Sequence, residues 1–118
     1  MKTLTFLARS GPHGSSKPKA LLDMVLSAAV FEQKINYIFI DDGVYQLLPD
    51  QDPSRLAAKN VSAALSALEL YGVDKVYVDT DSLQKRGLAA RQLLVPAQTC
   101  HADEIKTLIA DSDMVFSL

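Results

Sequence analysis

The chain alternates between short apolar runs of β-strand character and longer segments with helical periodicity. The strand-like runs cover residues 4–8, 35–40, 75–78, 93–95 and 114–116. The helix-like segments cover residues 17–32, a stretch from Asp52-Pro53 to Gly72, and a last segment around Ile105, Leu108 and Ile109. This alternation predicts a parallel sheet with helices on both faces. We therefore expect an α/β fold, a three-layer α/β/α sandwich with a five-stranded, mainly parallel sheet.

The composition of the chain excludes several classes of protein. A chain of 118 residues with 48% hydrophobic content fits one domain, residues 1–118, with a core of ordinary size. The balance of 12 basic against 14 acidic residues argues against direct nucleic-acid binding, which needs a basic surface. One cysteine and two histidines argue against a disulfide framework or a structural zinc site. We expect no cofactor and no metal.

No stretch reaches the roughly 20 apolar residues that a membrane span requires. The first apolar run ends at Arg9 with no small-residue cleavage site behind it, so it is more typical of a β-strand than of a signal peptide. We expect a cytoplasmic protein without a membrane partner.

In a parallel sheet, ligands collect beyond the carboxyl ends of the strands, which selects four loops here. They cover residues 9–16, 41–48, 79–87 and 96–101. In the first loop, Gly11 and Gly14 are only three residues apart, whereas the P-loop needs glycines five apart followed by Lys-Ser/Thr. A tight turn that begins a helix is therefore favoured over a nucleotide site.

Two pairs of acidic residues in these loops are candidates for cation binding. Asp41 and Asp42 follow the second predicted strand, where paired carboxylates can hold Mg²⁺. Termination of the strand and capping of the next turn is the favoured interpretation. Cation binding is also disfavoured for Asp79 and Asp81, because alternate acidic residues in a polar loop are usually solvated.

Cys100 is the one candidate thiol nucleophile, and it is followed by His101 and the last predicted helix. Backbone N–H groups at a helix start can lower the pKa of a thiol, and a histidine can help to form the thiolate. The alternative is that Cys100 is a passive small apolar residue.

The segment after Gly43 is unusually apolar for a loop at the edge of a sheet. Either it folds as a short helix onto the core of its own chain, or it contacts a partner subunit. The candidate interface residues are Val44, Tyr45, Gln46, Leu47 and Leu48.

Four segments together resemble one known family over essentially the whole chain. They are Pro12-His13-Gly14, the run from Ile38 to Leu48, the stretch from Asp79 to Leu88, and the run from Ala110 to Val115. The chain resembles the DsrF-like members of the DsrE/DsrF/DsrH sulfur-relay family, most specifically in its Asp-Gly-Val-aromatic-Gln-Leu-Leu run.

This resemblance implies a DsrE/F-like domain in a TusBCD-type hetero-oligomer, a dimer of heterotrimers with TusB-like and TusD-like partners. Such a complex passes persulfide sulfur from a TusA-like carrier to a TusE-like acceptor, for 2-thiolation of the wobble uridine of tRNA. Within the family a cysteine of the TusD-like subunit carries the sulfur, ahead of an Arg-Gly turn. Matching that turn to Arg86-Gly87 puts Asp79 at the cysteine's position.

An aspartate cannot carry sulfane sulfur, so we expect no catalytic residue and a structural role that positions an active partner. Two alternatives stay open. One is a sulfurtransferase in its own right that uses Cys100, and the other is a small flavodoxin-like ligand-binding module that uses residues 11–16.

Overall fold

A computed structural model describes residues 2–12, 16–48, 64–90 and 92–118 of the chain. Strands and helices alternate as the sequence predicts. In chain order the elements are β1 (Thr3–Ala8), α1 (Lys17–Val30), β2 (Lys34–Phe39), a 3₁₀ helix (Asp41–Leu47), a second 3₁₀ helix (Leu68–Tyr71), β3 (Val76–Asp79), α2 (Thr80–Lys85), β4 (Gln98–Cys100), α3 (Ala102–Ala110) and β5 (Met114–Ser117).

The strands form a five-stranded sheet in the order β4-β3-β2-β1-β5, and all four neighbouring pairs are parallel. The expected α/β sandwich is confirmed. Because every strand runs in the same direction, the segments that follow β1, β2, β3 and β4 leave the sheet at one common edge, its carboxyl edge.

The two faces of the sheet carry cores of different size. In the larger core, Leu21 and Val25 on the apolar face of α1 pack against side chains of β1 and β2 such as Phe6 and Tyr37. On the opposite face, a smaller core contains Ile105 of α3. Side chains of successive strand residues point to opposite faces, so β1 and β2 contribute to both cores.

The prediction of the fourth strand is wrong. Residues 93–95 are not a strand; Val95 is buried in the larger core, and the backbone N–H of Leu94 donates to the carbonyl oxygen of Leu47 over 2.6 Å. The actual strand is the polar segment Gln98–Cys100. It lies at the edge of the sheet, where exposed polar side chains are tolerated, and so it lacks the apolar signature of a buried strand.

The helical segment before β3 ends where the sequence predicts. Gly72 follows the second 3₁₀ helix with φ +81°, a left-handed conformation that favours glycine. The predicted start of this segment at Asp52-Pro53, with its apolar residues Leu56 and Val61, lies outside the described residues. No helix within the described ranges is long and apolar enough to cross a membrane.

Candidate functional site at the carboxyl edge

Three loops meet at the carboxyl edge of the sheet and are joined by charged side chains. Arg9 follows β1, Asp41 and Asp42 follow β2, and Arg86 follows α2. The Arg9 Nε donates to Asp41 Oδ2 over 3.2 Å, and the Arg86 Nε and Nη2 donate to Asp42 Oδ1 over 3.0 and 2.9 Å. The sequence patterns predicted no role for either arginine.

These ion pairs bear on the two interpretations of the aspartate pair. Each carboxylate already faces a guanidinium group, whose positive charge opposes the binding of a cation at the same oxygen atoms. Among the described residues, no group of three His, Cys, Asp or Glu side chains is arranged to hold a metal ion. The arrangement favours the interpretation that Asp41 and Asp42 end β2 and anchor the turn.

Asp79 is the last residue of β3 and caps the N-terminus of α2. Its Oδ2 accepts hydrogen bonds from the backbone N–H of Ser82 over 3.2 Å and from the Ser82 Oγ over 2.5 Å. A side-chain oxygen at this position satisfies one of the unpaired N–H groups of the first helical turn. The Asp-x-x-Ser spacing is the sequence signal for this cap, which was not predicted.

Cys100 is the last residue of β4, in register with Asp79 of β3, and not in a loop as predicted. Its side chain is 1% exposed and packs in the smaller core. Burial raises the pKa of the Cys100 thiol, and the carboxylates of Glu104 and Asp79 raise it further. The direction of this shift is opposite to the lowering that the start of the last helix was expected to cause.

His101 caps α3 and does not form a pair with the thiol. Its backbone N–H donates to the Glu104 Oε1 over 3.1 Å, and the residue is exposed while Cys100 is buried. Neutral histidine acts as a base only within hydrogen-bond reach of its target. No described contact joins the imidazole to the sulfur atom.

The apolar segment after Gly43 forms the 3₁₀ helix Asp41–Leu47 and folds onto the core of its own chain. Val44 and Leu47 have no exposed surface, and Gln46 is buried with its Nε2 donating to the carbonyl oxygen of Ser10 over 2.8 Å. These three residues of the predicted interface therefore face inward. Tyr45 and Leu48 are half-buried and retain surface at the edge, so the predicted contact surface is narrowed to these two residues.

A close backbone approach holds this segment in place. A Cβ atom on Gly43 would overlap the carbonyl oxygen of Ala8, so only glycine fits there. The same Ala8 oxygen accepts a hydrogen bond from the backbone N–H of Ile40 over 3.0 Å. Asp41 adopts a φ of +51°, a left-handed conformation that aspartate tolerates better than most residues.

The remaining candidate, the loop of residues 11–16, is only partly described. Gly11 and Pro12 are described, whereas His13, Gly14 and Ser15 lie outside the described residues. A site in this loop therefore has no geometry to support it.

Comparisons with known proteins agree on one family. A model of the DsrE/DsrF-like family matches residues 2–118. Among curated proteins, a TusC homolog of Vibrio parahaemolyticus is 38% identical over 117 residues, which is 99% of each chain. A TusC homolog of Pseudomonas aeruginosa is 32% identical over 99% of this chain and 98% of its own length. Among solved structures, the ychN protein of E. coli aligns over the full length of both chains with a TM-score of 0.87 at 19% identity, a likeness of fold.

Proposed function

Because the chain belongs to the DsrE/DsrF-like family and matches TusC homologs over its length, we propose that it is the TusC-type subunit of a sulfur-relay complex. In this proposal it is a single-domain cytoplasmic subunit, assembled with TusB-like and TusD-like partners in a dimer of heterotrimers. The complex passes persulfide sulfur from a TusA-like carrier to a TusE-like acceptor for 2-thiolation of tRNA. This chain carries no sulfur and holds the active partner in position.

The hydrogen bonding of Asp79 is the observation that supports the non-catalytic role. Asp79 stands where the resemblance expects a carrier thiol, and its Oδ2 is engaged by two hydrogen bonds from Ser82. A persulfide relay needs a sulfur atom that can attack and be attacked, which a carboxylate cannot provide. The site therefore supports a structural role better than a catalytic one.

Cys100 does not offer a substitute for the carrier thiol. Transfer requires a thiolate that a second protein can reach, and the Cys100 side chain is 1% exposed with a raised pKa. A sulfurtransferase that uses Cys100 would have to open the smaller core before each transfer.

Tyr45 and Leu48 form the proposed contact surface for the partner. Tyr45 lies in the 3₁₀ helix Asp41–Leu47, which contacts β3 and α2, and Leu48 directly follows it. Both are half-buried against the larger core and keep part of their surface exposed. Tyrosine at the centre of an interface contributes large apolar area together with a polar group. A net charge of −2 supports contact with protein and not with tRNA itself.

The test of the non-catalytic role is sulfur transfer in the reconstituted complex. Labelled persulfide is supplied on the TusA-like carrier, and label on the TusE-like acceptor is measured over time. We expect Cys100→Ala to leave the rate of transfer unchanged, whereas removal of the TusD-like subunit's own cysteine abolishes transfer. Loss of transfer in Cys100→Ala, with assembly intact by native mass, would establish the sulfurtransferase alternative.

The contact surface is tested separately by the affinity of this chain for its partners. Tyr45→Ala is compared with Leu70→Ala, a control at a residue that is 88% exposed and lies before β3, at the opposite end of that strand. We expect Tyr45→Ala to weaken binding about tenfold or more, as interface aromatic residues do, and Leu70→Ala to leave it unchanged. Equal affinities for both variants and the wild type would remove Tyr45 from the interface.

A further inference from the structure

The hydroxyl group of Ser82 joins two segments that are far apart in the sequence. It donates to Asp79 Oδ2 over 2.5 Å and accepts a hydrogen bond from the backbone N–H of Asp41 over 2.9 Å. Ser82 is 3% exposed, so water does not compete freely for these bonds. Asp79 therefore connects to the start of the 3₁₀ helix Asp41–Leu47 through one side chain.

The Asp41 N–H is a critical donor for that helix. It belongs to the first turn, whose N–H groups have no partner within the helix. Asp41 also holds the left-handed φ of +51° that turns the chain out of β2. A hydrogen bond at this atom fixes the direction in which the segment that carries Tyr45 and Leu48 leaves the sheet.

Arg86 makes a second connection between the same two segments. Its Nη1 donates to the carbonyl oxygen of Ser82 over 3.2 Å, while its Nε and Nη2 donate to Asp42 Oδ1. The guanidinium group is planar and presents its donors in fixed directions, so it holds both segments at a defined distance.

We propose that Asp79, acting through Ser82, is a positioning residue for the partner-contact surface of Tyr45 and Leu48. The residue at the position where the resemblance expects a carrier cysteine thus fixes the start of the 3₁₀ helix Asp41–Leu47. Identification of that surface as a partner contact rests on the proposed function, whereas the mechanical link from Asp79 to Asp41 does not. A carboxylate suits this role, because it accepts from both the Ser82 N–H and the Ser82 hydroxyl with charge-assisted strength.

The first experiment measures amide hydrogen exchange in the isolated full-length chain by NMR. We expect Asp79→Ala and Ser82→Ala to accelerate exchange of the Asp41 N–H about tenfold or more, as for the loss of one hydrogen bond. The amide of Tyr37, which donates to the Lys75 carbonyl oxygen in the sheet, is the internal control and should not change. Unchanged exchange at Asp41 in Asp79→Ala overturns the proposal whether or not a partner binds.

The second experiment is a double-mutant cycle on affinity for the reconstituted partners. If Asp79 acts through Ser82, then Asp79→Ala combined with Ser82→Ala weakens binding no more than Ser82→Ala alone. Additive losses contradict an action through Ser82. If Tyr45→Ala weakens binding and Asp79→Ala does not, the positioning proposal fails while the proposed function stands. If Tyr45→Ala has no effect either, the contact surface of the proposed function is wrong, and the exchange experiment still decides the link to Asp41.

Discussion

Asp79 and Cys100 lie directly opposite each other on the neighbouring strands β3 and β4. The chain's one thiol is therefore beside the position where the resemblance expects a carrier cysteine, although 20 residues lie between the two in the sequence. The neighbourhood does not activate the thiol, because it is buried and two carboxylates, of Glu104 and Asp79, disfavour the thiolate. Cys100 is thus close to Asp79 in the fold, but its surroundings keep the thiol protonated.

Alkylation by iodoacetamide tests the state of this thiol. We expect Cys100 in the folded chain to react far more slowly at pH 7 than a free cysteine, and its rate to rise only above a pH of about 8.5, the ordinary pKa of cysteine. The chain unfolded in urea serves as the control and should react at the ordinary rate. Rapid alkylation of the folded chain at pH 7 would contradict the assignment of Cys100 as an inert thiol.

Stability at alkaline pH should fall for the same physical reason. Burial raises the pKa of Tyr37 as well as that of Cys100, so both groups hold their protons to higher pH in the folded chain than in the unfolded chain. The unfolded chain therefore loses protons first, from about pH 8.5 for cysteine and about pH 10 for tyrosine, and the free energy of unfolding decreases across that range. Urea denaturation between pH 7 and 11 measures this decrease. Cys100→Ala should remove its first part, and Tyr37→Phe should reduce its second, to which Tyr77 also contributes because burial raises its pKa as well. An unchanged pH profile in both variants would contradict this prediction.

Gly43→Ala tests the close approach between the 3₁₀ helix and β1. A Cβ atom there overlaps the backbone oxygen of Ala8, which cannot move without disturbing the sheet, so we expect a loss of about 3 kcal/mol or more in the free energy of unfolding. Gly11→Ala is the matched control, because its Cβ would meet Asp42 atoms at 3.9 Å, an ordinary contact. Equal stability of the two variants by urea denaturation would show that the Gly43 backbone is not constrained.

Arg86→Lys tests whether the forked geometry of the guanidinium group matters. Lysine keeps the charge but cannot bind Asp42 and the Ser82 carbonyl oxygen together, so we expect a loss of about 1 kcal/mol in stability. The comparison is Lys19→Gln, which removes an exposed i,i+4 pair with Asp23 worth about 0.3–0.5 kcal/mol. Salt should diminish the effect of Lys19→Gln more than that of Arg86→Lys, whose side chain is 21% exposed. The opposite order would mean that the pair with Asp42 acts only as a surface charge pair.

The sequence predicts β1, β2 and β3 because they are apolar or β-branched runs whose side chains are largely buried. It predicts β5 from the apolar residues Met114, Val115 and Phe116, although this edge strand leaves Met114 and Val115 exposed. It misplaces β4 because the apolar signal belongs to Leu94 and Val95, which cover the core without joining the sheet. Apolar periodicity indicates which residues are buried. An edge strand can pair with the sheet while its side chains stay exposed, so its position does not follow from apolar periodicity.

The site is less predictable because its contacts cross between loops. The hydrogen bond from Asp41 to Ser82 spans 41 positions and joins a backbone group to a side chain, a contact that leaves no periodic pattern in the sequence. Likewise, an apolar segment after Gly43 indicates burial, but only the fold distinguishes the buried Val44 from the half-buried Tyr45. Residue types at the carboxyl edge were predictable, whereas their pairing was not.

Membership in a three-subunit complex is measured directly by the native mass of this chain co-expressed with its TusB-like and TusD-like neighbours. We expect one stable assembly that contains all three chains in equal numbers, with the mass of a dimer of heterotrimers. A stable monomer of this chain that passes through purification without either partner would contradict the proposed function.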